Sequence, residues 1–311
     1  MKRAIVLTAL VIAATVSMTL SAQQGQPNAP KVIEAQKVRD NLYMLTGMGS
    51  GGNTAVFIGT AGVTVVDTKN PGWGQPIIAK IKELTPKPIT TIINTHTHGD
   101  HVSGNVEFPA TVDVVVQENT AANMKKMAPV TGLAAPGAPP TPNIFDTNGG
   151  RGLAKKTFKN KMEIGSGADK IELYYFGRAH TNGDAWVVFP ALRVAHVGDT
   201  FAGKTPPIMD ANNGGSGVDY PGTLMKGYDG LKNIETVING HTNAPTTWPE
   251  LKEYADFVKS LVAYAEAQQK AGKSVDEATA GYKVPDTFKG YTAAEARVKS
   301  DIQVIYNELK K

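Results

Sequence analysis

Asn94-Thr95-His96-Thr97-His98-Gly99-Asp100-His101 places three imidazoles and one carboxylate within six residues, in a chain of 311 residues that has six histidines in all. The residues before it, PITTIINT from Pro88 to Thr95, read as a buried β-strand, rich in β-branched residues and opened by a proline. The histidines therefore leave the end of a core strand and enter a loop, the place where a rigid scaffold commonly holds catalytic groups. The helical zinc signature sets two histidines four residues apart. Here His96 and His98 are two apart and Gly99 follows, which suits a loop or an extended segment. Imidazole and carboxylate are ligands that Zn²⁺ takes in catalytic sites. The alternative, a solvated His-rich turn, rarely carries such density without a metal.

The composition narrows what can surround this stretch. Hydrophobic residues make up 41% and charged residues 19%, ordinary for a globular protein with a sizeable core. The length allows one large domain or two small ones. There are no cysteines, so disulfides, thiolate nucleophiles and Cys-based zinc sites are excluded, and any metal must use His, Asp and Glu. Met1-Lys2-Arg3 is a basic head, Ala4 to Leu20 an apolar run, and Leu20-Ser21-Ala22 ends in a small residue before Gln23. This reads as a secretory signal peptide over 1–22, cut after Ala22, and places the protein in the periplasm or outside the cell. The rival reading is an uncleaved anchor, for which the run is short. Without Lys2 and Arg3 the 32 basic residues become 30, against 28 acidic, a net of +2. No basic run resembles a nucleic-acid footprint, and no second hydrophobic span follows. The expected partner is a small-molecule substrate; the oligomeric state is left open.

In chain order, 23–31 is a flexible lead-in and 32–311 reads as one domain closed by C-terminal helices. Strands are expected at Leu42–Thr46, Thr54–Ile58 and Val63–Val66, as an antiparallel hairpin series with glycine-rich turns. Ile77, Ile78, Ile81 and Leu84 give a helical stripe that Pro86 and Pro88 stop. After the histidine stretch come a strand at 112–116 and a helix over about 118–127. Residues 128–152 are rich in Pro, Gly and Ala, without periodicity, and read as an insertion loop that could act as a lid. Strands resume at 170–176, 185–189 and 193–197. A second glycine-rich loop spans 203–220, a helix about 221–234, and a strand 236–239. Pro249 opens an amphipathic helix to Ala271, and a last helix covers about 293–309. The order suggests two βα halves, their sheets stacked and their helices outside.

Three further ligand-type residues sit beside glycine at the ends of apolar strands: His180 after Phe176, Asp199 after Val197, and His241 after Ile238. Each alone is more often structural. Beside the cluster they read together, since five of the six histidines now have parallel placements. His196 lies mid-strand and is taken as structural or supporting. Met48, Trp73 and Phe201 could wall a cleft, although hydrophobic staples under loops are the favoured reading for them.

The set HxHxDH at 96–101, then His180, Asp199 and His241, with Asp67 ending an early strand, resembles the metallo-β-lactamase-fold hydrolases over about residues 32–270. The wording GNTAVFIG, INTHTHGDH, GRAHTNGDAWVVFP and VAHVGDTF looks like the exported bacterial branch, grouped with quinoprotein-relay-like and all-histidine metallo-β-lactamase relatives. The resemblance implies an α/β protein, a four-layer αββα metallo-β-lactamase sandwich, with the site at one edge of its two sheets. It implies that His96, His98 and His180 bind a first zinc, that Asp100, His101 and His241 bind a second, and that Asp199 bridges them. The true lactamases generally lack that bridging carboxylate, whereas thioesterases, lactonases and phosphodiesterases of the fold have it. A second departure is Asn239-Gly240-His241-Thr242, where many members read Pro-Gly-His-Gly.

The expected activity is that of an exported dinuclear hydrolase, which turns a metal-held hydroxide on an ester, thioester, lactone or related bond. Asp100 would orient the nucleophile and handle a proton, with Asp199 the second catalytic carboxylate. Asp67, Thr181 and Asp184 are supporting candidates, for each of which an ordinary turn or cap role weighs about equally. Two Zn²⁺ are expected, with iron or manganese as substitutes that His and Asp sites do not strongly exclude. A β-lactam-hydrolysing enzyme of the same fold is one alternative. A periplasmic metal-binding accessory or redox partner without strong hydrolase activity is another.

Overall fold

Alternation along the strands divides the apolar residues between two faces of each sheet, and this division builds the layers. The protein is described here by a computed structural model covering residues 30–133 and 141–310. The signal-peptide reading of 1–22 and most of the lead-in lie outside the described residues. One sheet has seven strands in chain order: β1 (Glu34–Arg39), β2 (Leu42–Thr46), β3 (Thr54–Ile58), β4 (Val63–Val66), β5 (Ile89–Ile93), β6 (Asp113–Gln117) and β7 (Lys156–Phe158). The other has six, β8 (Lys161–Ile164), β9 (Ile171–Tyr175), β10 (Ala185–Phe189), β11 (Val194–Gly198), β12 (Thr236–Asn239) and β13 (Thr246–Thr247), ordered from β13 back to β8.

The helices among the described residues are α1 (Gly74–Leu84), α2 (Gly99–Val102), α3 (Glu118–Met124), α4 (Ile144–Thr147), α5 (Tyr220–Gly230), α6 (Trp248–Lys270), α7 (Val275–Gly281) and α8 (Glu295–Leu309). Between the sheets lies a layer that includes Leu42, Met44, Phe57, Val66, Ile93, Leu173, Val187, Phe189 and Ile238. The opposite faces of the same strands carry Leu45, Val65 and Ile92, packed with Ile77 and Ile81 of α1. On the far side Trp186, Val188 and Val237 pack with α5, α6 and α8. Three apolar layers between four structural ones make the αββα sandwich.

The expected strands of the first hairpin series match β2, β3 and β4 to the residue. Differences fall elsewhere. The helix expected over 118–127 ends at Met124, and the one expected over 221–234 ends at Gly230. Edge strand β7 has three residues with one buried apolar side chain, Phe158, and β8 alternates Lys161-Met162-Glu163-Ile164 over four residues; both are too short to stand out in the sequence, and neither they nor α7 are among the expected elements. Helix α6 starts where Thr247 and Glu250 form a reciprocal capping box, with Pro249 in the first turn.

The parallel pairs position the site. β4 runs parallel to β5, β5 to β6, and β11 to β12. Parallel neighbours deliver their C-terminal ends to the same edge, the place where open α/β sheets bind ligands. Asp67 follows β4, His96 follows β5, Asp199 follows β11 and His241 follows β12, so four chemical groups reach one rim. The backbone there must bend sharply. Gly198 has φ +53°, a conformation a Cβ disfavours, and a Cβ would also stand 2.6 Å from Thr95 Oγ1.

Candidate metal centre

The seven residues singled out from the sequence meet in two adjoining groups. His96, His98, His180 and Asp199 converge in one, all buried; Asp100, His101 and His241 converge in the other. The Asp199 carboxylate lies between them. Its Oδ1 is 3.2 Å from His101 Nε2, and its Oδ2 is 3.1 Å from His241 Nε2 and 3.7 Å from His180 Nε2. Asp100 Oδ2 stands 3.4 Å from His241 Nε2 and 3.6 Å from His101 Nε2. The Asp100 side chain is 31% exposed and that of His241 36%, against 5% or less for His98, His101, His180 and Asp199, so the centre opens to solvent on the second group's side.

Four imidazoles each have an acceptor for one ring nitrogen, which fixes the tautomer and leaves the other nitrogen as a lone pair facing inward. His180 Nδ1 donates to the carbonyl of Ile208 at 2.8 Å, and His98 Nε2 to Asp210 at 2.7 Å. His101 Nδ1 donates to Asp67 Oδ2 at 2.7 Å. Thr95 gives its hydroxyl proton to Asp67 at 2.7 Å, so its oxygen accepts from His96 Nδ1 at 3.0 Å. The freed His96 Nε2 is buried and has no hydrogen-bond partner. His98 Nδ1 and His180 Nε2 face each other at 3.0 Å with no proton left to share. Opposed lone pairs and an orphaned imidazole nitrogen are what a cation between them relieves, and the outer acceptors follow the pattern that orients metal-bound histidines. The residues present therefore fit two divalent ions.

Glycine and asparagine make the close approaches. A Cβ on Gly240 would collide with the Asp199 carboxylate, and one on Gly52 with the His101 ring. Asn239 accepts from the backbone N–H of His241 and Thr242 and from the Thr242 hydroxyl, tying down the Asn-Gly-His-Thr loop by its own side chain.

Two supporting residues carry no sequence signal of their role. Asp210 lies in the 203–220 loop; besides His98 it accepts from Thr131 N at 2.9 Å and Thr131 Oγ1 at 2.8 Å, joining both long loops to the His98 imidazole. Lys69 is fully buried and donates to the carbonyls of Leu45 and Gly52 at 3.0 and 2.7 Å. Burial pushes its pKa down to about 7, against the pull of Asp67 and Asp100. Its hold on Gly52 keeps that glycine against His101. Of the expected supporting residues, Asp67 contacts the His101 imidazole directly and reaches His96 through the Thr95 hydroxyl. Asp184 instead accepts from Thr181 N and Oγ1 and closes the turn after His180, and burial raises its pKa to about 7. His196 bonds the carbonyl of Asn53 and accepts from Gly198 N, a structural role. Trp73 and Phe201 are 7% and 1% exposed and pack in the helical cores, so neither walls a cleft; Met48 is 95% exposed.

The electrostatics of the two groups differ. Burial, then the neighbouring His101, His180 and His98, holds His96 well below its ordinary pKa; burial and His98 lower His180 to about 3. Burial also opposes charge on His101, but Asp199, Asp100 and Asp67 outweigh it and hold it well above the usual value. Asp199 raises His241, against burial. Metal and proton compete for the same lone pairs. As pH falls, His101 and His241 take up protons first, while His96 and His180 stay neutral into acid. Protein loaded with a divalent ion at each group is expected, on stepwise acidification, to lose metal from the second group at a higher pH than from the first; metal content measured after equilibration at each pH checks this, and simultaneous loss would contradict it.

A family model described as the metallo-beta-lactamase superfamily matches residues 48–241. The chain is 26% identical over 168 residues to hydroxyacylglutathione hydrolase of Nostoc punctiforme, covering 54% of this chain and 53% of that one. It is 27% identical over 175 residues to metallo-beta-lactamase type 2 of Elizabethkingia meningoseptica, covering 52% of this chain and 59% of that one. The chain thus spans about half the length of the curated relatives it matches. Among solved structures, a metallo-beta-lactamase from Pontibacter korlensis superposes with a TM-score of 0.57 at 16% identity, over 73% of this chain and 99% of that one. At that identity the likeness speaks for the fold.

Proposed function

The chain belongs to the metallo-β-lactamase superfamily, and from that premise we propose that it is an exported dinuclear zinc hydrolase of an ester, thioester, lactone or related bond. The family and its relatives support a metal-dependent hydrolase. The observation that carries the finer reading is Asp199, whose Oδ1 faces His101 and whose Oδ2 faces His241 of the same group and His180 of the other. In this reading His96, His98 and His180 hold one ion, Asp100, His101 and His241 the other, and Asp199 joins them. Export is supported by the sequence of Met1 to Ala22.

Divalent ions held by these residues would supply a water acidic enough to attack at neutral pH and would polarise the electrophile's oxygen. The chain's own groups do the rest. Asp100, on the open side, orients the nucleophile and takes or passes its proton. Asp67 and Asp210 hold His101 and His98 in the tautomers that face the centre. Burial keeps His96 and His180 neutral and available. The Nostoc relative, a hydrolase of hydroxyacylglutathione, favours a thioester. The Elizabethkingia relative favours a second reading, hydrolysis of β-lactams. Purified protein is expected to contain two zinc ions per chain and to turn over thioester or lactone substrates faster than a chromogenic β-lactam. Removal of metal should abolish turnover and its return restore it. Preferential β-lactam turnover would move the assignment to the second reading. Bound metal without turnover across thioester, lactone, phosphodiester and β-lactam substrates would count against a hydrolase.

A further inference from the structure

The last helix, α8, lies beyond the residues the family model matches, yet it grips the segment on which two imidazoles depend. That segment runs from Ile208 to Val218. Its start supplies the Ile208 carbonyl for His180 and the Asp210 carboxylate for His98. It is laced to the loop that carries His180: Asp210 N donates to the His180 carbonyl at 3.0 Å, and Ser216 N to that of Ala179 at 2.9 Å.

Helix α8 presents Ile305 and Glu308 to this segment, three residues apart on one helical face. Ile305 and Met209 meet over Gly217, where a Cβ would stand 2.5 Å from Ile305 Cγ1 and 2.8 Å from Met209 Sδ. Glu308 accepts from Ser216 Oγ at 3.1 Å, from Val218 N at 3.0 Å and from Arg178 Nη2 at 3.2 Å. Arg178 in turn donates to the carbonyls of Gly214 and Gly215 at 2.8 and 2.9 Å, two residues before His180.

We propose that α8 is a positioning element of the metal centre: Glu308 and Ile305 hold the 208–218 segment in the one conformation that presents Ile208 and Asp210 to His180 and His98. The inference rests on the reading of the site as a metal centre, and Glu308 is its positioning residue. A loosened segment lets both imidazoles rotate, so the effect is a weaker first metal site rather than a missing ligand.

The test measures Zn²⁺ affinity by chelator competition and the visible absorption of the Co²⁺-substituted protein, beside thermal unfolding of the metal-free form. Glu308→Ala should weaken the tighter Zn²⁺ site by about tenfold, the low end for residues that orient ligands, and alter the Co²⁺ band. Glu308→Gln keeps an acceptor for Ser216 and Val218 and should recover most of the affinity. Native Zn²⁺ affinity and an unaltered Co²⁺ band in Glu308→Ala would overturn the proposal, whatever happens to the unfolding temperature, because packing alone moves only the latter. If Glu308→Ala does not fold, Ser216→Ala decides: it removes the hydroxyl that donates to Glu308 and accepts from Asp219 N, a loss of about fivefold is expected, and unchanged affinity overturns the proposal. Native protein that binds neither Zn²⁺ nor Co²⁺ would remove the premise itself, an outcome visible before any variant is made.

Discussion

Asp199→Ala is expected to hold one metal ion per chain instead of two and to lose about 10³-fold in turnover, comparable with removal of a major electrostatic group from an active site. The reason lies in its position. With 5% of its side chain exposed, the carboxylate places one oxygen against His101 and the other against His241 and His180. Burial alone would raise its pKa, but His241 and His101 outweigh burial and hold it well below the usual carboxylate range, so it stays ionised. Removing it leaves three buried imidazoles that still converge in the first group, while the second group keeps Asp100 as its only carboxylate. Two cations a few ångströms apart then repel without a shared anion. Asp199→Asn separates charge from shape: it preserves the volume beside Gly240 and removes the negative charge. Both variants should fail alike if the charge matters. Metal content by mass spectrometry beside kcat/KM checks this, and full activity in a metal-verified Asp199→Ala protein would sink the bridging role.

The candidate ligands were legible because each stands where an apolar strand meets a polar residue and a glycine, a local pattern that needs no knowledge of the rest of the chain. The same holds for β2, β3 and β4, whose alternation sets their limits. Other features depend on distant partners and leave no local trace. Asp210 sits in a glycine-rich loop and meets His98 across 112 positions. Lys69 reads as a polar turn residue, and only the tertiary structure turns it inward onto two carbonyls. Strand β8 alternates Lys161-Met162-Glu163-Ile164, a trace four residues long that marks a strand only once Met162 and Ile164 are paired with Leu173 and Ile171 of β9. Asp67 lies between these cases: its place after β4 suggested a supporting role, but its choice of partners came from the fold.

Asp67→Asn is expected to lower metal affinity at the second site by about 10- to 100-fold, the range for residues that orient ligands. Asp67 Oδ1 accepts from Thr95 N at 2.8 Å, while Oδ2 accepts from the Thr95 hydroxyl and from His101 Nδ1, each at 2.7 Å. An amide offers one acceptor oxygen. If that oxygen keeps the Thr95 backbone, the amide N–H₂ faces His101 Nδ1–H, donor against donor. His101 then turns to its other tautomer and carries its proton on Nε2, the atom that faces Asp199 and His241. A protonated Nε2 cannot ligate. The Thr95 hydroxyl also loses its acceptor, and with it the fixed orientation of His96. Asp67 has φ +62°. Asparagine visits this left-handed region, whereas alanine is penalised there by about 1–2 kcal/mol. Metal-free Asp67→Asn should therefore unfold with a free energy above that of Asp67→Ala by roughly that 1–2 kcal/mol, although both bind the second metal weakly. Stability tracks the backbone and affinity tracks the carboxylate, so the pair assigns each effect to its cause; an Asp67→Asn protein with two tightly held metals and native turnover would show that the tautomer of His101 is fixed by something other than Asp67.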